Sequence, residues 1–284
     1  MSARLRNIAQ QNDRIVAEGG YTAPDGRWID LAHAIAAAAD GTRLYGPEPV
    51  PVAVPVESGA GAHRTVTAES STEAAGRLTA TGEGPVAVLN FASARNPGGG
   101  YTNGAQAQEE ALCRASALYP CLLRAPDYYA HHRRHRDPFY SDRVIHSPAV
   151  PVFRDDRGAL LDRPYAAGFL TSPAPNAGVI ARTMPERVAE IGPALDTRAE
   201  RVLEVAVAHG YRRLVLGAWG CGVFRNDPAR VAAAFAALLT GSGRYARAVD
   251  EVVFAVLDRT PDSPTRAAFA AAFTPARQEP TRRP

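Results

Sequence analysis

The run Val86-Ala87-Val88-Leu89-Asn90-Phe91 constrains this chain more than any other stretch. Gly84-Pro85 precede it and the polar segment 93–96 follows, so an apolar run is held between two breaks. A strand with one wet face alternates polar and apolar residues; a strand apolar on both faces lies in the middle of a sheet covered on both sides. Helices that connect parallel strands supply that cover, so the run predicts an α/β fold. A chain of 284 residues then makes one large domain, or one domain with an appendage.

The rest of the sequence fits this frame. Residues 1–41 read as an N-terminal helical extension. Leu5, Ile8 and residues 11–15 have a helical period, residues 29–40 are alanine-rich, and residues 19–26 form the turn between them. Residues 42–274 then alternate strands and helices. Residues 50–56 make at best an edge or irregular strand, because valine alternates there with proline and alanine. Further strands are expected at 65–67, 143–147, 150–153, 167–171, 212–217 and 251–257. Helices are expected at 71–78 (capped by Ser71 or Thr72), 109–123, 185–208 and 228–240. This order implies a mixed sheet with helices on both faces. Residues 275–284, rich in proline and arginine, read as a frayed tail.

Composition excludes several classes of function. A net charge of +3 does not by itself indicate a nucleic-acid binder. No run reaches the roughly 18 apolar residues of a membrane span, and the polar N-terminus lacks the apolar core of a secretory signal, so a cytoplasmic protein is expected. Every basic residue is arginine, the mark of a biased composition that also favours alanine, glycine and proline. Cys113, Cys121 and Cys221 form no Cys-x-x-Cys pair, which argues against a disulfide framework and a structural zinc site.

Past the apolar strand, the chain reads Asn96-Pro97-Gly98-Gly99-Gly100, and Gln108-Glu109-Glu110 then opens a helix. Three glycines without Cβ atoms let a ligand approach backbone amides, and amides at a loop and a helix N-terminus bind anions. There is no Gly-Lys-Ser/Thr of a Walker loop and no Gly-x-Gly-x-x-Gly. Neighbouring carboxylates on a helix diverge by about 100°, so one of the pair can face a reacting centre while the other holds a ribose hydroxyl. Taken alone, the pair equally suits a helix dipole. A second loop, Gly217-Ala218-Trp219-Gly220-Cys221-Gly222-Val223-Phe224-Arg225-Asn226, again stands between a strand and a helix. Phe224 offers either a flat surface for a sugar or base, or a core anchor. Cys221 is either a nucleophile or a neutral thiol, and no histidine is near it in sequence.

The glycine triplet followed by Gln108-Glu109-Glu110, together with the second loop, resembles the poly(ADP-ribose) glycohydrolases, in particular their compact bacterial type. The resemblance covers residues 90–116 and 217–226. It implies a three-layer α/β/α macrodomain with a mixed central sheet and an N-terminal helical extension. It also implies hydrolysis of ribose–ribose O-glycosidic bonds to release ADP-ribose. In that reading Glu110 is catalytic and the adjacent Glu109 binds ribose. Asn90, Asn96, Gly98, Gly99, Gly100, Ala107 and Gln108 line the ADP-ribose site from one side; Gly217, Gly220, Cys221, Gly222, Val223 and Phe224 line it from the other. Many macrodomains end this strand in Asn-Ala-Ala-Asn, whereas this chain has Asn90-Phe91-Ala92-Ser93, so Asn96 is the candidate for the missing amide. No cofactor or metal is implied. The implied partners are poly(ADP-ribose), ADP-ribose and ADP-ribosylated proteins, without direct nucleic-acid or membrane binding, and the implied state is a monomer. Two competing readings are a macrodomain that binds ADP-ribose without cleaving it and a hydrolase of single protein-linked ADP-ribose units.

The remaining clusters are weaker signals. His131-His132-Arg133-Arg134-His135-Arg136 has a helical His pair but no third metal ligand, so it reads as a solvated basic face or as a ridge for a polyanion. His146, Tyr128-Tyr129 and Phe139-Tyr140 read as packing residues. Trp219 reads either as a loop anchor or as a ligand sensor.

Overall fold

The computed structural model describes residues 2–54 and 62–273. Helix α1 (Ala3–Glu18) starts at Ser2, whose hydroxyl accepts the Leu5 amide, and ends at Gly19 in the left-handed region, where the cap amide donates to the Ile15 carbonyl. The link to the next helix is not a plain turn. Strands β1 (Gly20–Thr22) and β2 (Trp28–Asp30) pair as an antiparallel hairpin, so α2 (Ala32–Gly41) begins three residues later than its alanine run suggests.

The main sheet has seven strands in the order β3 (Arg43–Tyr45), β6 (Val144–Arg154), β7 (Leu160–Ser172), β5 (Val86–Phe91), β8 (Arg213–Gly217), β9 (Glu251–Ala255) and β4 (His63–Thr67). The pairs β3–β6 and β6–β7 are antiparallel and the other four are parallel, so the sheet is mixed and β5 lies at its centre. Alternate residues of the apolar strands feed two separate cores. Val86, Val88, Val215 and Val253 pack with Ile15, Ile35, Leu78, Leu112 and Leu118 on one face; Ala87, Leu89, Leu214 and Phe254 pack with Val202, Phe235 and Phe269 on the other. The first face is covered by α1, α2, α3 (Ser71–Thr81), α4 (Gln108–Ala115), α5 (Leu118–Leu122) and α6 (Pro126–Arg134). The second face is covered mainly by α8 (Ile191–Ala208), α9 (Pro228–Leu239) and α10 (Pro264–Phe273), with α7 (Ala177–Thr183) beside them. The N-terminal helices therefore close one layer of the α/β/α sandwich, sharing its apolar core.

Several boundaries differ from those the sequence suggested. The helix expected over 109–123 breaks at Ser116, whose backbone is extended and bridges Val152. Its hydroxyl donates to the Leu112 carbonyl and accepts the Leu118 amide, which lets α5 start in a new direction. The strands expected at 143–147 and 150–153 are one strand, β6, with a register shift between Ser147 and Val150 and with Ala149 at φ 45°. The cap of α3 is Ser70 in a capping box with Glu73, one residue before the expected cap. Residues 185–190 form 3-10 turns before α8. Helices α6, α7 and α10 were not expected. Residues 50–54 form no strand, and 55–56 and the tail 275–284 lie outside the described residues. No helix among the described residues is long and apolar enough to cross a membrane.

Candidate active site

The C-terminal end of β5 organises the site. Asn90 stands opposite Thr171 in the sheet register, and its buried Nδ2 donates to the Thr171 hydroxyl (3.1 Å) and to Glu109 Oε1 (3.2 Å). Gln108, at the start of α4, is a strap: its Oε1 accepts the Phe91 amide (2.9 Å), and its Nε2 donates to the Leu89 carbonyl (2.8 Å) and to Ser71 Oγ (3.0 Å). Both ends of that amide are engaged by the protein, so Gln108 fixes α4 against β5 and α3. Ala107, the N-cap residue of α4, is exposed and makes no side-chain cap.

With the helix fixed, its two carboxylates diverge into different environments. Glu109 is 2% exposed; its Oε1 is held by Asn90 and its Oε2 accepts the Ser93 amide at 2.7 Å. Burial pushes its carboxyl up to about 8, against the pull of the Ser93 amide and the Asn90 side chain. Glu110 is 7% exposed; its Oε1 accepts the Gly100 amide at 2.8 Å, while Oε2 is buried without a hydrogen-bond partner. The pair therefore splits into one satisfied carboxylate and one with a free oxygen. Glu110 lines a cavity of about 580 Å³ together with Ser93, Asn96, Gly99, Gly100 and Tyr119. Glu109 stands behind it.

The glycine triplet folds to make this possible. Gly98 and Gly99 have φ of +65° and +57°, where residues with a Cβ are strained. A Cβ on Gly99 would overlap Glu110 Oε1 and crowd Glu109 Oε2, and one on Gly98 would meet Tyr119 and Cys113. Gly98 is buried and shapes the turn, whereas Gly99 and Gly100 reach the cavity. Asn96 is exposed at the rim; its amide donates to Ser93 Oγ (3.3 Å) and its carbonyl accepts the Gly99 amide (3.0 Å).

The second loop leaves β8, the parallel neighbour of β5, so both loops emerge at the carboxyl ends of adjacent strands. Gly217 packs so closely that an added Cβ would meet the Ala255 carbonyl at 2.5 Å and the Phe91 ring at 3.1 Å. Trp219 is fully buried and donates its indole N–H to the Ser172 carbonyl (3.0 Å), which makes it an anchor. Asn226, also buried, donates to the Pro175 and Gly220 carbonyls and closes the base of the loop. At the tip, the amides of Gly222, Val223 and Phe224 donate to no acceptor among the described residues, and Val223 is 81% exposed. Consecutive free amides of this kind form an anion-binding nest. The Phe224 ring lies 5.8 Å from that of Tyr140. Burial pushes the Cys221 thiol up to about 12, which disfavours the thiolate a nucleophile needs.

A larger hollow, about 810 Å³, lies among α7, the start of α8, Arg225 and Arg230. Its lone carboxylate, Asp227, caps α9 by accepting the Ala229 amide. His146 is a core residue, bonded to the Tyr211 hydroxyl and stacked on His209. Of the cavity lining, sequence reasoning missed Thr102, Asn103 and Tyr119. The first two follow the glycine triplet after Tyr101, which was a readable signal; Tyr119 was hidden by the unforeseen break at Ser116.

A family model described as the catalytic domain of microbial-type PARG matches residues 9–155. The crystal structure of poly(ADP-ribose) glycohydrolase (PARG) from Thermomonospora curvata is 50% identical, covers 96% of this chain and 100% of its own, and superposes with a TM-score of 0.90. The same protein bound to the inhibitor ADP-HPD gives 50% identity, the same coverage and a TM-score of 0.88. The enzyme from Deinococcus radiodurans in complex with ADP-ribose gives 44% identity over 86% of this chain and 98% of that one, with a TM-score of 0.77. A search of curated proteins finds no match.

Proposed function

The chain belongs to the microbial-type poly(ADP-ribose) glycohydrolases, and on that premise we propose that Glu110 is the acid and base with which it cleaves the ribose–ribose bond and releases ADP-ribose. The observation that carries this assignment is the division within the carboxylate pair: only Glu110 combines a place in the cavity with a free oxygen.

In this reading the tip amides of Gly222, Val223 and Phe224 hold the diphosphate, and the side of Phe224 facing away from Tyr140 covers the ribose. Gly99 and Gly100 let the sugar approach the backbone. The departing ribose oxygen is a poor leaving group as an alkoxide, so a proton on Glu110 Oε2 passes to it as the anomeric C–O bond stretches. Positive charge then develops on the sugar ring, stabilised by the diphosphate of the same ADP-ribose unit. The carboxylate left on Glu110 takes a proton from water, whose oxygen forms the new bond to the anomeric carbon. The proton returned to Glu110 restores the starting state.

Glu109 has a positioning role: through Ser93 and Asn90 it ties the strand end to the helix that carries Glu110. A ribose hydroxyl that reached Glu109 would have to share or replace one of these donors. The polymer, free or attached to modified proteins, is the substrate, and a single chain suffices because both loops belong to one sheet.

The test is ADP-ribose release from purified poly(ADP-ribose) by the wild type and by Glu110→Gln. Positioned acid–base groups contribute about 10²–10⁴-fold, so turnover in the variant should fall by that factor while ADP-ribose affinity stays within about threefold. A folded variant that retains wild-type turnover removes Glu110 from the mechanism.

A further inference from the structure

The function proposed above leaves unused the basic run at the end of α6, which lies beside the catalytic loop. Arg133 Nη1 donates to the Arg95 carbonyl (2.9 Å), and Arg95 Nη2 donates to the Arg136 carbonyl (3.2 Å). Arg95 directly precedes Asn96, a wall of the Glu110 cavity, and Ser93, another wall, is two residues earlier. The run is thus fastened to the rim of the site by two hydrogen bonds that leave its guanidinium charges in place.

Those charges are not neutralised. None of Arg95, Arg133, Arg134 and Arg136 pairs with a carboxylate among the described residues, whereas elsewhere Arg212 pairs with Asp250, Arg187 with Asp137 and Glu190, and Arg244 with Glu200 and Glu204. Two nearby carboxylates are committed to other groups, Asp137 to Arg187 and Asp142 to Arg198. Arg143 adds a fifth positive charge against the His131 ring at 3.1 Å. The pKa of that ring is lowered first by burial and then by Arg143, His135 and Arg134, so it responds to the same positive field. Favourable interaction with the C-terminus of α6 accounts for one or two basic residues in the last turn. It does not account for an arginine on a different loop joining the cluster.

We propose that Arg95, Arg133, Arg134 and Arg136 form a track for the diphosphate of a polymer unit flanking the one held in the cavity. The inference rests on the glycohydrolase reading of the site. A cavity of about 580 Å³ is of the size that encloses a single small ligand, so any adjoining unit of the polymer lies outside it. Each such unit carries a diphosphate, and guanidinium forks match phosphate oxygens geometrically as well as by charge. The basic rim would then lower KM for long chains and leave the affinity for monomeric ADP-ribose unchanged.

Arg134→Gln/Arg136→Gln is the informative variant, because neither side chain makes a hydrogen bond within the described residues. Binding is measured in the Glu110→Gln background, with poly(ADP-ribose) of about 20 units, with ADP-ribose and with single-stranded DNA of the same phosphate count, over a salt series. The expected result is about tenfold weaker polymer binding at low salt and unchanged ADP-ribose binding. The slope of log affinity against log salt should flatten by about 1.4, the share of two phosphate contacts on a single strand. Arg134→Lys/Arg136→Lys should recover most of the affinity. Unchanged polymer affinity and slope in the Gln pair overturn the track. So does single-stranded DNA that binds the parent as tightly as the polymer and weakens equally in the variant, since the ridge would then be a nucleic-acid surface. Release of ADP-ribose by the wild-type enzyme is scored separately: its absence removes the glycohydrolase reading, whereas normal release with an indifferent Gln pair removes only the track.

Discussion

Gly99 and Glu110 act as one unit, since the carboxylate occupies the space that any other residue at position 99 would need for its Cβ. Gly99→Ala adds both this overlap and a strained φ, so it should cost about 1–2 kcal/mol of stability and lower turnover at least tenfold by displacing Glu110. Urea titration and ADP-ribose release would check the two effects separately. Glu109 gives a pH signature instead. Its carboxyl is raised by burial to about 8 in the folded protein, above the ordinary carboxylate range it has when unfolded. Below that range both states hold the proton and the group costs nothing. As pH rises towards about 8 the unfolded chain ionises freely while the folded one resists, so this contribution to stability is lost. Melting curves of wild type and Glu109→Gln at pH 5, 6.5 and 8 should therefore diverge, the variant gaining several degrees relative to wild type; parallel curves would exclude the buried-carboxyl account. At this scale the residues themselves were informative about chemistry, and only the family resemblance allocated it between Glu109 and Glu110. The triplet and the Glu pair were visible, but which carboxylate keeps a free oxygen depends on Asn90 and Ser93, residues 16–20 positions away that meet α4 only in the folded chain.

Among the elements, α1 has the least obvious connection to catalysis and a direct physical one. Asn12 is buried and donates to the carbonyls of Cys113 (3.3 Å) and Arg114 (2.8 Å) in the last turn of α4, while its Oδ1 accepts Arg154 Nε (2.7 Å) from β6. One side chain thus closes the C-terminal end of the helix whose N-terminus carries the carboxylate pair. Asn12→Ala strands two carbonyls and the Nε of Arg154, whose other nitrogens stay bonded to Gly158 and Gln11, so a loss of about 2–3 kcal/mol is expected. A severalfold fall in kcat with little change in KM should accompany it, because α4 loses one of its two fixed ends. Denaturant unfolding with steady-state kinetics would test this, and an Asn12→Ala protein with normal stability would refute the link. Helical periodicity located α1 and the start of α4 from sequence. It failed at Ser116, because apolar spacing continues through the break while the hydroxyl redirects the backbone locally. The two parts of β6 were legible as strands, but their continuity across the bulge depends on pairing with β7, a long-range fact that no local window contains.

At the scale of the molecule, the strand order β3-β6-β7-β5-β8-β9-β4 puts the two glycine loops side by side although about 120 residues separate them in sequence. The apolar run at 86–91 revealed a central strand and the second loop resembled the first, but their adjacency was fixed only by the pairing of β5 with β8. A ligand that bridges both loops binds the folded chain alone. At a hundred times its dissociation constant, ADP-ribose should add about 2.7 kcal/mol of stability, which for a domain of this size raises the melting temperature by roughly 5–10 °C. Gly222→Ala isolates the loop's contribution to that gain. A Cβ at position 222 meets nothing within 4 Å and φ there is not left-handed, so the free protein should melt within about 1 °C of wild type. The same Cβ stands at the nest of free amides and holds a diphosphate away from them, so most of the ligand-induced shift should disappear. Gly220→Ala supplies the contrast: φ is +70° and its Cβ meets Ala174 at 2.5 Å, so the free protein itself should be destabilised. If Gly222→Ala instead keeps the full ADP-ribose shift, the tip of the second loop does not touch the diphosphate; the triplet cannot take its place with the Gly99 and Gly100 amides, which already donate to the Asn96 carbonyl and to Glu110.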